Sequence, residues 1–159
     1  METPCFPMFI DLSGKEVLVA GGGNIALRRV RTLLAFGARI RVTAPRLSRE
    51  LEQLASGGKI KAEQRTYQTE DIKGMDMVLA ATDDRETNRR ICTDCRAAGI
   101  PVNVADDRRL CDFYFPSVVL TDDAVVGISC GGGDHAKVKE LRRKIERACG
   151  MEGHSLYEK

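Results

Sequence analysis

The run KEVLVAGGGNIA at residues 15–26 constrains this chain more than any other stretch. Val17, Leu18, Val19 and Ala20 are a short apolar run, the mark of a strand buried on both faces. Gly21, Gly22 and Gly23 follow at once. Ile25, Ala26, Val30, Leu33 and Leu34 then recur at helical spacing, with Arg28, Arg29 and Arg31 on other faces. Strand, glycine turn and helix in that order open a dinucleotide-binding βαβ unit. In this reading Gly21 permits the turn, Gly23 lets a pyrophosphate approach the backbone, and Ala26 is the small residue where helix packs close on strand. The anion sits at the helix N-terminus, where free N–H groups and the dipole favour it. A G-x-G-x-x-A pattern alone is equally a strand–helix corner that binds nothing; the flanking strand and helix favour binding.

The alternation continues downstream. The first helix is expected over residues 24–36, stopped by Gly37, and a β-branched strand over 38–43. A helix over 47–56 and a polar strand near a sheet edge over 59–65 come next. A short connection over 67–74 leads to an apolar strand over 75–81. Asp84 caps the following helix, Asn88 lies one turn further on, and that helix ends at Gly99. A last parallel strand spans 100–105. Ahead of all this, Phe6, Met8, Phe9, Ile10 and Leu12 are expected to be apolar anchors. The class is α/β, a Rossmann-like doubly wound parallel sheet. Ligands of such sheets bind beyond the C-terminal strand ends. Residues 21–23, 82–84 and 103–106 should therefore line one crevice, with Thr82, Asp83 and Asn103 beside a cofactor. Asp83, Asp84, Asp106 and Asp107 each also read as ordinary caps and turn residues. Two acidic pairs beside a glycine turn point to a site.

After Pro116 the parallel pattern stops. Residues 117–120 and 124–129 read as a β-hairpin, and 137–148 as a basic helix carrying Lys137, Lys139, Arg142, Arg143, Lys144 and Arg147. These charges suit a solvated face or the steering of an acidic substrate. The expected division is a dinucleotide-binding domain over 1–115 and an arm over 116–159. A net charge of +2 gives no argument for nucleic acid, and no apolar run approaches the ~20 residues of a membrane span. The N-terminus lacks a basic start followed by an apolar core, so a cytoplasmic location is expected. The six cysteines are then expected to be free thiols. Cys92 and Cys95 have the spacing of a metal or redox pair, but no second pair completes a zinc site, and no metal is expected. A typical NAD site has an acid about 20 residues past the glycines. Here Thr43, Ala44, Pro45 and Arg46 stand there instead. Arg46 can pair with a 2′-phosphate or lie over the adenine, so the motif does not choose between NAD and NADP.

Taken together, the motifs resemble the dehydrogenase module of siroheme synthase, the precorrin-2 dehydrogenase family. They are Pro7, Met8 and Phe9 with Asp11 and Leu12; VAGGGNIA at 19–26; AATDD at 80–84 with Asn88; VNVAD at 102–106; Cys111, Asp112 and Phe113 with Pro116; and Ile128 and Ser129 before Gly131 and Gly132. The resemblance covers residues 6 to about 147. It implies NAD-dependent oxidation of precorrin-2 to sirohydrochlorin in siroheme biosynthesis, by a homodimer built through the hairpin and helix. It also implies that Asn24 and Ile25 touch the cofactor, that Pro45 and Arg46 lie at its adenosine end, and that NAD is favoured over NADP. Asp106 matches the catalytic aspartate, and Cys130, Gly131 and Arg142 match substrate contacts. Two departures stand out. After the last strand the chain reads CGGGDH at 130–135, where the family has serine or threonine, glycine, a spacer and then Ser-Pro; His135 is new there. Family members also continue into a helical domain over the tetrapyrrole, whereas these 159 residues end in a polar tail. Alternatives are a member that also inserts iron or cobalt, and a non-catalytic NAD-sensing module.

Overall fold

The computed structural model describes residues 5–131 and 135–151, and it divides into two compact units. The larger, Asp11–Phe113, holds β1 (Glu16–Ala20), α1 (Asn24–Leu34), β2 (Arg39–Thr43), α2 (Arg49–Ser56), β3 (Lys61–Glu63), β4 (Met77–Ala80), α3 (Arg85–Ala98) and β5 (Val102–Val104). The five strands are all parallel, in the order β3-β2-β1-β4-β5. The chain therefore winds outward from β1 to β3, then returns to the other side of β1 for β4 and β5. The winding reverses between β1 and β4, which is where such sheets open a ligand crevice.

The core follows from the strands' period of two. Leu18 and Ala20 of β1 join Val78, Ala80, Val102 and Val104 beneath Ile91, Cys92 and Cys95 of α3. Val17 and Val19 point the other way and are equally inaccessible. α1 packs on β1 and β2, burying Ala26, Val30 and Leu33. Each such branched side chain contributes about 1.5–3 kcal/mol relative to exposure. Cys92 and Cys95 are core residues with free thiols, and burial pushes the Cys95 thiol up to about 12.

In this unit the elements expected from the sequence are present, with shorter ends. α2 starts at Arg49 because Ser48 caps it, its hydroxyl accepting from the Leu51 N–H. β3 is three residues long, at the sheet edge. The connection over 67–74 contains a 3₁₀ turn, Thr69–Ile72. It also buries Tyr67, whose hydroxyl donates to Asp94 at 2.9 Å.

Two expectations fail. Phe6, Met8 and Phe9 are 87%, 74% and 73% exposed, and Ile10 is exposed too. They lie in a stretch without regular structure, and no described helix or strand covers them. Arg29, read as polar-face, is buried. Burial, with the neighbouring Arg28 charge, lowers its pKa to about 10.

The second unit joins the residues up to Ile10 to those from Tyr114 onward. It contains an antiparallel hairpin, β6 (Ser117–Leu120) and β7 (Val125–Ile128), and α4 (His135–Ala148), which packs mainly on β6. Thr121 closes the turn, accepting from the Ala124 N–H at 2.9 Å. Among the described residues no helix is long and apolar enough to cross a membrane.

Candidate active site

The corner between β1 and α1 is built on its glycines. Gly21 has φ +134°, and a Cβ there would strike the carbonyl of Ala81 beyond β4. A Cβ on Gly22 would strike the carbonyl of Arg46 in the loop after β2, and the Ser48 N–H donates to the Gly22 carbonyl at 2.9 Å. Gly22, given no role from the sequence, thus fixes the β2–α2 loop against the corner; three glycines in a row were the signal. Gly23 differs, since nothing lies within 4 Å of where its Cβ would be. Gly23 is the N-cap of α1, which has no side-chain cap and no acidic residue in its first turn. Asn24 and Ile25 are exposed, Ile25 by 48%, while Ala26 is buried against the sheet. An open glycine, uncapped amides and an exposed apolar residue suit an anionic group joined to a flat ring system. Pro45 and Arg46 are exposed on the neighbouring loop.

At the end of β4 the polar groups are occupied. Asp84 caps α3, accepting from the Glu86 and Thr87 N–H groups at 3.3 and 2.9 Å. The Thr87 hydroxyl and amide hold its carboxyl below the usual 3.8. Asn88 is 1% exposed, and its side-chain amide is fully used. Its Oδ1 accepts from the Thr82 N–H at 3.1 Å and the Thr82 hydroxyl at 2.8 Å. Its Nδ2 donates to the Thr82 carbonyl at 3.2 Å and to Asp106 Oδ1 at 2.7 Å. Asp83 is exposed and Thr82 half-buried.

Asp106 stands just past β5, its side chain 29% exposed. Asn88 fixes one oxygen, and the other lies 3.5 Å from Arg85 Nε. One oxygen anchored by a buried amide and the other held only loosely by an exposed arginine is an arrangement that can take up a proton at a set place. Asp107 is committed elsewhere. It caps the short turn Arg108–Leu110 and grips Arg109 through two bonds of 3.0 and 2.8 Å, which lower its pKa to about 2. Asn103 is buried, donating to the Phe113 carbonyl at 2.8 Å, while its Oδ1 has no hydrogen-bond partner among the described residues.

The tips of β1, β4 and β5 are therefore contiguous. Gly21 abuts Ala81, the Ala105 N–H donates to the Ala80 carbonyl at 2.8 Å, and Asn88 ties Thr82 to Asp106. In the sequence Asn88 stands one turn past a cap and beside a motif of the resembled family, with no role of its own. Cys130, Gly131 and Arg142 belong to the C-terminal unit. Cys130 is half-buried after β7, Gly131 has φ +67°, and Arg142 is buried in α4 with Glu146 3.7 Å away. The side chain of His135 lies outside the described residues.

Residues 8–117 match the model of a family described as "Putative NAD(P)-binding". The chain belongs to this family. Among curated relatives it is 46% identical over 143 residues to the "Probable multifunctional siroheme biosynthesis protein HemA" of Ruminiclostridium josui, covering 89% of this chain and 28% of that one. It is 44% identical over 140 residues to the siroheme synthase of Ectopseudomonas mendocina, covering 88% and 30%. The chain thus spans less than a third of these relatives' length. Among solved structures it resembles "SirC, precorrin-2 dehydrogenase", with a TM-score of 0.75 and 26% identity over 91% of this chain and 71% of that one. The NAD(P)-binding family and the precorrin-2 dehydrogenase neighbour agree with the parallel sheet and the glycine corner described above.

Proposed function

We propose that this NAD(P)-binding chain oxidises precorrin-2 to sirohydrochlorin with NAD. The observation that carries the reading is the Asn88 bridge. It ties the tip of β5 to the tip of β4, beside the glycine corner, and leaves the second Asp106 oxygen with only the exposed Arg85 beside it, at 3.5 Å. The reaction removes two hydrogens from a saturated macrocycle bridge and its neighbour, one as hydride and one as proton. Bound NAD supplies the hydride acceptor. The chain's part is to position the ring and take the proton. Asp106 accepts it on the oxygen that Asn88 leaves free, and its charge opposes the cationic character left in the macrocycle as hydride departs.

Gly21, Gly23, Asn24, Ile25 and Ala26 would form the corner that holds the cofactor, Pro45 and Arg46 would serve its adenosine end, and Thr82 and Asp83 its nicotinamide. Asn103 supports this floor from beneath. Cys130, Gly131 and Arg142 are assigned to substrate contact from the family pattern. The dinucleotide-binding part runs through residue 115, and the remainder serves a homodimer. The exposed Phe6, Met8 and Phe9 support a partner surface of that kind; a particle of the single-chain 17.5 kDa in sedimentation would reject it.

Turnover of precorrin-2 with NAD and NADP side by side tests the reading. NAD should be preferred; a lower KM for NADP would instead place a 2′-phosphate on Arg46. Asp106→Asn should lower kcat at least about 100-fold with NAD affinity within about twofold. Unchanged turnover in that variant would remove Asp106 from the chemistry.

A further inference from the structure

Beside Asp106 the surface dips into a shallow pocket rimmed by Arg85, Arg89, Arg108 and Arg109, with Asp106 and Asp107 as its acidic groups. Four cations and two carboxylates line it, and Arg108 has a further interaction of its own. The carboxylates are also largely spoken for. Asp107 is held by two bonds to Arg109, and one oxygen of Asp106 is taken by Asn88. Arg85 is 77% exposed and reaches Asp106 only at 3.5 Å, longer than a charge-assisted hydrogen bond. Arg89 has no side-chain hydrogen bond or ion pair among the described residues; it acts on Asp107 only through space.

The placement is unfavourable for the fold. Arg85 is the first residue of α3, where the helix dipole disfavours a cation, and Arg89 follows one turn later. They are also four residues apart, so like charges meet on one helix face. Nothing in the packing calls for them, since both are exposed. An anion from outside the chain would offset both penalties.

We propose that Arg85, Arg89 and Arg108 are a carboxylate-gripping rim that holds the acidic side arms of the tetrapyrrole and sets which carbon lies over Asp106. This rests on the reaction proposed above. Guanidinium forks match carboxylates in a planar, two-bond geometry, so the rim orients the macrocycle as well as attracting it. The cofactor's own anion has a separate place at the uncapped end of α1.

The test is fluorescence titration of the whole chain with sirohydrochlorin, an octacarboxylate, alongside NAD titration. The variants are Arg89→Glu, Arg85→Glu and the remote surface control Lys73→Glu. Arg89→Glu should weaken sirohydrochlorin binding roughly tenfold or more and flatten its salt dependence, with NAD binding within about twofold. Arg89→Lys should recover part of the loss. Arg89→Glu should melt within about 3 °C of wild type, because Arg89 is exposed and makes no side-chain hydrogen bond or ion pair among the described residues; weaker binding in that variant then cannot come from unfolding. Sirohydrochlorin binding unchanged in Arg89→Glu, an equal loss in Lys73→Glu, or a loss confined to NAD would overturn the rim. Tight, Arg89-dependent binding without NAD-dependent turnover of precorrin-2 would keep the rim and reject the reaction.

Discussion

The two corners beside the switch point do opposite things with the same topology. After β1 the chain turns on three glycines into a helix whose first amides have no side-chain cap. After β4 it turns on Thr82, Asp83 and Asp84 into a helix that is capped, with Asn88 bonded to Thr82 and Asp106 behind it. A bare helix start leaves N–H groups for an incoming anion. A sealed one is finished as it stands, and its work is to hold something else still, here Asp106. One parallel sheet thus presents a receptive corner and a rigid corner on adjacent strands. In the proposed reaction a cofactor must be admitted and a base must not wander, and the two corners would meet those needs separately.

The comparison breaks most completely at Gly21. Gly21→Ala puts a methyl group on the Ala81 carbonyl at a backbone angle of φ +134°. The two strand tips must separate, and the loss should exceed about 2 kcal/mol in urea unfolding. If Gly21→Ala keeps wild-type stability, the corner is looser than described. At the sealed corner, Asn88→Ala strands the Thr82 N–H and releases Asp106. The expected cost is about 2–3 kcal/mol, together with a fall in kcat that exceeds any rise in the KM for NAD. A loss of stability with normal kcat would mean that Asn88 supports the fold but not the base.

Much of this was legible in advance because it is local. An apolar run, three glycines and a helical repeat specify the receptive corner within twelve residues, and Asp84 announces itself as a cap. What escaped is what depends on distant chain. Gly22 is required by the carbonyl of Arg46, and the commitment of Asn103 to Phe113 cannot be read from a strand pattern. Arg29 looked polar because helical spacing alone does not show that its face meets the body of the unit. The apolar residues at 6–10 have the composition of anchors, yet no described element covers them. The arginine rim was invisible for a related reason. Arg85 and Arg89 look like an ordinary charged helix face until the turn after β5 brings Arg108 and Arg109 beside them.

Gly23→Asp converts the receptive corner into a copy of the sealed one. Gly23 is extended, at φ −91°, and has open space around its missing Cβ, so an aspartate fits without strain. As a strong N-cap it should leave stability unchanged or raise it by a few tenths of a kcal/mol. Its carboxylate would claim the amides and repel a phosphate, so NAD affinity should fall roughly tenfold. Stability up and binding down is a pair of signs that damage to the fold cannot produce. Retained NAD affinity would move the pyrophosphate away from this helix end.

The smallest effect is the most specific to the sealed corner. Asp84→Asn keeps a capping oxygen but removes the charge. In wild type the Thr87 hydroxyl and amide lower the folded carboxyl below 3.8, the value expected when the chain is unfolded. A depressed carboxylate stabilises the fold fully above the unfolded value and loses that contribution as pH falls through the folded one. The variant lacks it at every pH. Wild type should therefore melt higher by about 3 °C near pH 6, and the two curves should converge as pH drops below 3.8. Asp71, Asp76 and Asp107 are depressed as well, but they occur in both proteins and cancel in the difference. A gap that persists unchanged into acid would show that the Asp84 charge does not stabilise this corner, leaving the neutral cap and the Asn88 network to hold it.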